Sequence, residues 1–336
     1  VAFTEGGGHG ANLVGIPAGL LGSAVFNDYP RPLHIAGVRE QHHELFEQLA
    51  AMPDAAAAAF ERHMETSFQL AVDGNACPHP IPLHEPATSG RANFPSPSGR
   101  RWPEGPDEGE RPLDSGQQSA GAGAGWSLQQ PPSPHPSPAS GRGGVGEEWI
   151  GLRRFRADYR RLLRGWGFDA NSREGAVLKS WVENRFGLFP TFHKQPLTRV
   201  SSPAWGNYVE EKMSSRFHNN NIFLQLDLLY EFCQWALARR RTPGRHLILY
   251  RGVNDFIEHP LISKKHGREI IVRLNNLVSF TADRTMACEF GDTILEAQVP
   301  KVKIVFFSEL LPRHPLKGEV EYLVIGGDYR VTASYL

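Results

Sequence analysis

Apolar residues recur at a helical period over the first part of the chain and at a strand period over the last. Residues 39–51 predict a helix, with Leu45, Phe46 and Leu49 on one stripe and Pro53 beyond its end. Residues 54–70 predict a second, with Asp54 as its cap and an alanine run that favours the helical state. A basic helix over 152–166 carries Leu152, Phe155, Tyr159, Leu162 and Leu163 as its apolar set, and a shorter helix follows over 175–186. Over 221–241 the apolar positions go nearly all round: Ile222, Phe223, Leu226, Leu229, Tyr230, Cys233, Trp235 and Leu237. A helix with so little polar surface is a buried, central one. Arg239, Arg240 and Arg241 stand at its negative dipole end, and Pro243 with Gly244 stops it.

After Gly244 the period changes. Short β-branched or aromatic runs at 246–250, 270–274, 293–299, 302–307, 322–325 and 329–332 lie between turn residues and predict strands, with one helical break at 283–290. Helices first and strands later give an α+β fold, a helical N-terminal and central part packed on a C-terminal β-rich core, rather than a doubly wound sheet.

Between the helical regions the pattern disappears. Residues 86–147 hold 11 Pro, 12 Gly and 9 Ser in 62 positions, and their only Leu, Ile, Val or Met are Leu113, Leu128 and Val145. So few apolar groups cannot offset the entropy of ordering the chain, and the segment reads as a disordered insertion. PxxP-like spacing at 131–138 would allow an extended docking arm, a weaker reading than an insertion without a role. The chain therefore divides into an N-terminal helical part at 1–75, the insertion at 86–147, a central helical part at 150–244 and a β-rich core at 245–336.

Charge and cysteine content narrow the function classes. Lys+Arg and Asp+Glu both number 36, so the formal net charge is zero, and no basic excess points to nucleic acid or a membrane surface. No apolar run has the length of a membrane span. Three cysteines, Cys77, Cys233 and Cys288, with no paired spacing fit neither a disulfide framework nor a zinc site, and suit a reducing cytoplasm. Residues 1–10 lack the basic and apolar regions of a secretory signal. Gly6–Ala11 fits a loose dinucleotide fingerprint, but no strand precedes it and Pro17 follows soon. His42 and His43 are adjacent on a helix and face different ways, and His79 and His84 sit among prolines, so no metal site is expected.

The last third carries three elements in a fixed order. Leu249-Tyr250-Arg251-Gly252 places an arginine at a strand end before a glycine. Asn275-Asn276-Leu277-Val278-Ser279-Phe280-Thr281 ends a strand in hydroxyl residues. Gly318-Glu319-Val320-Glu321-Tyr322 opens a strand with two glutamates two apart. Singly, each has a bland reading: a surface ion pair, a turn serine, the solvated face of an edge strand. Together, in this order and on this strand-rich background, they resemble the Arg–Ser–Glu signature of cholera-toxin-type ADP-ribosyltransferases. The spacers agree: a short helix with Ala287 and Phe290-Gly291, two strands, then the glutamate loop.

The resemblance implies a core of two small sheets with NAD+ as donor substrate in the cleft between them. It implies Arg251, Ser279, Glu319 and Glu321 as catalytic residues, and Arg251, Gly252, Ser279, Phe280, Thr281 and Glu321 as NAD-binding ones. The chemistry suits them. Loss of nicotinamide leaves positive charge on the ribose, and a carboxylate such as Glu321 stabilises charge present only in the transition state. A fixed guanidinium such as Arg251 anchors a pyrophosphate, and Ser279 holds either partner through its hydroxyl. An acceptor arginine is cationic and a poor nucleophile, so Glu319 would orient it and ease its proton loss. Two residues apart on an extended chain, the glutamates would share one face.

Longer runs narrow the likeness. Residues 12–21 (NLVGIPAGLL), 26–34 (FNDYPRPLH), 174–193, 203–239, 249–256 (LYRGVNDF) and 316–331 resemble the dinitrogenase reductase ADP-ribosyltransferase family. That family implies a cytoplasmic enzyme that moves ADP-ribose from NAD+ to an arginine of dinitrogenase reductase, the nitrogenase iron protein. It regulates nitrogen fixation under control of a PII signal protein. Two features depart from the pattern. Residues 86–147 have no counterpart, and the hydroxyl motif is Ser279-Phe280-Thr281 rather than Ser-Thr-Ser, which leaves Phe280 as a ring to stack on nicotinamide. The rival readings are an arginine-specific transferase or NAD glycohydrolase with another target, and a non-catalytic NAD- or protein-binding module. The intact Arg251, Ser279, Glu319 and Glu321 speak against the module.

Overall fold

The computed structural model describes residues 13–70, 158–214, 217–218, 220–240, 242–264, 268–312 and 320–335. The Gly-rich run at 6–11, His79, His84, the 86–147 segment, Arg241 and Glu319 lie outside the described residues. The described residues belong to one compact unit.

Among the described residues five helices come from the N-terminal part: α1 (Ala18–Leu21), α2 (Ala24–Asp28), α3 (Val38–Gln41), α4 (His43–Ala51) and α5 (Ala56–Phe68). Five follow: α6 (Tyr159–Phe168), α7 (Arg173–Phe186), α8 (Pro203–Lys212), α9 (Asn220–Arg239) and α10 (Arg284–Cys288). The single helix expected over 39–51 is broken at His42, whose ring nitrogen lies 3.1 Å from one of His63 on α5. Asp54 does not cap α5. It sits inside a 3-10 turn, Pro53–Ala55, and the cap position is Ala55 without a side-chain bond. Helices α6, α7, α8 and α10 do start on side-chain caps, at Asp158, Ser172, Ser202 and Asp283, each satisfying an otherwise orphaned N–H.

Helix α9 is the hub. Its apolar residues Ile222, Leu226, Leu229, Tyr230, Phe232 and Cys233 are all at most 1 % exposed, as an all-round apolar pattern requires. Its buried polar residues each tie down a different element, because a polar group removed from water must find a partner. Gln225 accepts from the Tyr159 backbone at the start of α6. Asp227 accepts from Trp181 and Arg185 of α7. Glu231 accepts from the Ile35 backbone, and from Arg39. Gln234 donates to the Ile304 carbonyl of the β-rich core.

Among the described residues there are eight strands: β1 (Phe192–His193) and β2 (Gln195–Pro196) form a small hairpin, and β3 (His246–Val253), β4 (Leu261–Lys264), β5 (Glu269–Thr281), β6 (Thr293–Pro300), β7 (Ile304–Phe307) and β8 (Glu321–Tyr335) form the main sheet. Its order is β4-β5-β3-β6-β8-β7, every pairing antiparallel, with β5 also paired to β8. Strands β3, β5, β8 and β6 thus close into a ring.

The α+β class stands, but the two small sheets expected are joined as one six-stranded hydrogen-bonded sheet. The reason is the length of β5 and β8, at 13 and 15 residues. Asn275-Asn276, just past the strand expected over 270–274, lie within β5 at a register shift between Leu274 and Leu277. Opposite it, a Cβ on Gly326 would lie 1.6 Å from the Asn275 carbonyl oxygen, so only glycine lets the strands approach there. The asparagine side chains turn to the helical part: Asn275 bonds the Thr191 and Phe192 backbone, and Asn276 donates to the Lys179 and Leu188 carbonyls.

Candidate active site

Three strand ends meet at one register. Tyr250 of β3 pairs with Thr281 of β5, and Thr281 pairs with Glu321 of β8. Residues distant in sequence, Arg251, Ser279 and Glu321, are brought into one cleft of about 250 Å³, which Gly252, Thr281, Trp166, Tyr250, Ala287 and Phe290 also line.

The polar geometry is specific. Ser279 Oγ donates to Glu321 Oε1 at 2.6 Å. Arg251 Nη1 donates to the Ser279 carbonyl at 2.8 Å, and its Nε donates to His259 Nε2 at 3.1 Å. Two of the guanidinium's five N–H groups are thereby committed, which fixes its plane and leaves the others for a ligand. Burial pulls the Arg251 guanidinium below its ordinary value, and Glu258 and Glu321 oppose that. Burial, then the Arg251 charge, pushes His259 down to about 3, so it is neutral at physiological pH and accepts through Nε2. Glu321 is 8 % exposed and opens β8.

Gly252, which follows Arg251, and Gly291 are glycines for a packing reason. A Cβ on Gly252 would stand 2.1 Å from the Ala287 carbonyl oxygen, and one on Gly291 would stand 2.4 Å from the Val253 carbonyl carbon. This contact seats the turn after α10 against the strand that carries Arg251. Thr281 Oγ1 accepts from the Asp283 N–H, which starts the turn into α10.

Two expectations need correction. Phe280 borders the cleft, but its ring is 3 % exposed and packs in the core, tilted against Tyr329. Alternation along β5 sends Ser279 and Phe280 to opposite faces. The exposed ring of the cleft is Phe290, at 54 %. The backbone before Glu321 is also not extended as expected: Val320 has a left-handed φ of 46°, and the strand begins at Glu321. Glu319 itself lies outside the described residues.

Sequence reading missed Trp166 and His259. Trp166 is 4 % exposed and donates from Nε1 to Ser279 Oγ at 2.8 Å. Behind it Lys179, 1 % exposed, donates from Nζ to Asn171 Oδ1 and the Phe192 carbonyl, and burial pushes its amine down to about 7. A tryptophan at a helix end and a histidine before Pro260 carry no local pattern that marks them as site residues.

A larger cavity of about 430 Å³ lies elsewhere, between α8 and the β1–β2 hairpin. His193 and Lys194 there both pair with Glu211, Arg173 also lines the cavity, and it holds none of the signature residues. Among the described residues no group of His, Cys, Asp or Glu is arranged to hold a metal ion, and no helix is long and apolar enough to cross a membrane.

A family model described as dinitrogenase reductase ADP-ribosyltransferase matches residues 11–80 and 142–333. The chain is 50 % identical over 332 residues to the NAD(+)--dinitrogen-reductase ADP-D-ribosyltransferase of Rhodospirillum rubrum, covering 98 % of this chain and 96 % of that protein. No solved structure matches.

Proposed function

Because this chain belongs to the dinitrogenase reductase ADP-ribosyltransferase family, we propose that it transfers ADP-ribose from NAD+ to an arginine of dinitrogenase reductase and so regulates nitrogen fixation. The donor and the target protein follow the family and the relative's name. The arginine acceptor and the residue roles are our reading of the site. One observation supports them above others: Arg251, Ser279 and Glu321 converge in one cleft, with the carboxylate held by the serine hydroxyl at 2.6 Å.

In this reading Arg251 anchors the NAD pyrophosphate, presented in a fixed plane by His259 and the Ser279 carbonyl. Glu321 faces the ribose. As the C1′–N bond to nicotinamide breaks, nicotinamide leaves with the bonding electron pair and C1′ becomes cationic. The carboxylate stabilises that charge. A guanidine nitrogen of the target then attacks C1′ and gives up a proton, which Glu319 accepts or relays. Gly252 and Thr281 shape the cleft wall, and Phe290 takes the stacking role first given to Phe280.

The test is transfer of labelled NAD+ with and without dinitrogenase reductase. Label on an arginine of that protein alone is the expected result. Nicotinamide release with no protein labelling would make the chain an NAD glycohydrolase, and no release at all would make it a binding module. Control by a PII signal protein and a cytoplasmic location belong to the same proposal and rest on family resemblance. Retention of the full chain on an immobilised PII protein is the check for the first.

A further inference from the structure

We propose that Trp166 is a positioning residue for this reaction: its indole N–H, seated on Ser279 Oγ, aims that hydroxyl's single proton at the Glu321 carboxylate. The inference rests on the reading that Glu321 faces the reacting ribose.

A serine hydroxyl carries one proton and two acceptor lone pairs, and it rotates to suit its surroundings. An indole N–H is a donor only. With Trp166 Nε1 at 2.8 Å from Ser279 Oγ, the oxygen must accept there, and its proton cannot point that way. The remaining close partner is Glu321 Oε1, at 2.6 Å, a short distance typical of an O–H donor on a charged carboxylate. The three groups form one directed chain, indole to hydroxyl to carboxylate. Each bond polarises the next in a site of low local dielectric. Trp166 has reason to stay: at 4 % exposure, a bare N–H would be left without water to replace its partner.

The indole is held from a part of the protein other than the one that holds the carboxylate. Trp166 belongs to α6, whose first N–H is tied to Gln225 of α9. Lys179 of α7 sits over its ring, with Nζ 5.9 Å from the centroid, and is fixed in turn by Asn171 and the Phe192 carbonyl. Glu321 and Ser279 belong to paired strands of the sheet. The helical part therefore supplies the group that sets the direction of the serine proton.

The experiment is a double-mutant cycle in the full chain, Trp166→Phe and Ser279→Ala, read as nicotinamide release with dinitrogenase reductase present. Trp166→Phe keeps an aromatic ring and removes the donor. Its expected effect is a loss of about tenfold in kcat, one hydrogen bond's worth, with KM for NAD+ moved less than twofold. Added to Ser279→Ala, it should cost nothing further, because the indole acts only through the hydroxyl. If Trp166→Phe does not fold by circular dichroism, Trp166→benzothienylalanine, which replaces N–H by sulfur in the same outline, carries the same expectation. Losses that multiply in the double variant, or a rise in KM without a fall in kcat, would overturn the proposal and make Trp166 a packing or binding residue. Glu321→Gln is run alongside. If that variant is inactive while the cycle is additive, only the role of Trp166 falls; if it stays active, the reading of the site falls first.

Discussion

Glu321→Gln separates charge from shape at the proposed centre. The amide oxygen can still accept from Ser279 Oγ, so the 2.6 Å contact and the start of β8 should persist. What goes is the negative charge. Two unit charges about 4 Å apart at an effective dielectric constant near 20 interact by ~4 kcal/mol. That would be on the order of 10³ in rate if the ribose cation were fully formed. Partial charge development lowers it, so kcat for nicotinamide release should fall by about 10²–10³, the range seen when one charge-stabilising group is removed from an enzyme site. Affinity for NAD+ should behave differently. Arg251 loses one of the two carboxylates that hold up its charge and keeps Glu258, so its guanidinium is less neutralised by protein and more available to the pyrophosphate. Binding should be unchanged or slightly tighter. The assay measures nicotinamide release and labelling of dinitrogenase reductase, with NAD+ affinity by calorimetry and Tm as a control for the fold. A folded variant with kcat within tenfold of the parent would refute the assignment of Glu321 to the developing cation.

Three further outcomes follow from the same geometry. Glu319→Gln should depress labelling of dinitrogenase reductase more than release of nicotinamide to water, since water has no guanidinium proton to shed; equal losses in both would assign Glu319 to NAD+ instead. His259 has a folded pKa of about 3, below its ordinary 6.5, so the unfolded chain binds more protons between those values and stability falls as pH drops through that window. His259→Gln, which can still accept from Arg251 Nε, should remove this term, so calorimetry should show a flatter decline of Tm from pH 6.5 to 4; parallel declines would contradict a buried, neutral His259. Asp227→Ala strips the acceptor shared by Trp181 Nε1 and Arg185 and leaves the largely buried Arg185 guanidinium without its carboxylate, at a cost of roughly 3–5 kcal/mol. With about 2–4 °C of Tm for each kcal/mol in a domain of this size, thermal melts should shift by roughly 6–20 °C, and a shift within 2 °C would show that α9 does not depend on that anchor.

The parts of the site that were legible in sequence share a physical cause. Arg251, Ser279 and Glu321 all sit at or near strand ends, where a polar residue interrupts an apolar run and so stands out from its neighbours. Helix α9 was legible for the opposite reason, since apolar residues recur nearly all round it, with Gln225, Asp227, Glu231 and Gln234 buried among them. Where the reading failed, the outcome was decided by something other than local preference. Asn275-Asn276 and Gly326-Gly327 look like turns because their local preferences are those of turn residues. They lie inside long strands because the asparagine side chains find backbone partners at 179, 188, 191 and 192, and because Gly326 admits the Asn275 carbonyl. Val320 misled for a related reason: β-branched residues favour extended backbone, yet this one is left-handed at the point where β8 begins. Trp166 and His259 fall in the same class. Each acts by one hydrogen bond to a residue whose partner cannot be inferred from spacing, 113 positions away for Trp166 and 8 for His259. In the proposed mechanism the signature supplies charge and anchor, whereas the direction of the serine proton and the plane of the guanidinium are set by residues outside it. The proposed chemistry is carried by three short motifs, while its rate should depend as well on helices α6, α7 and α9, which carry none of them.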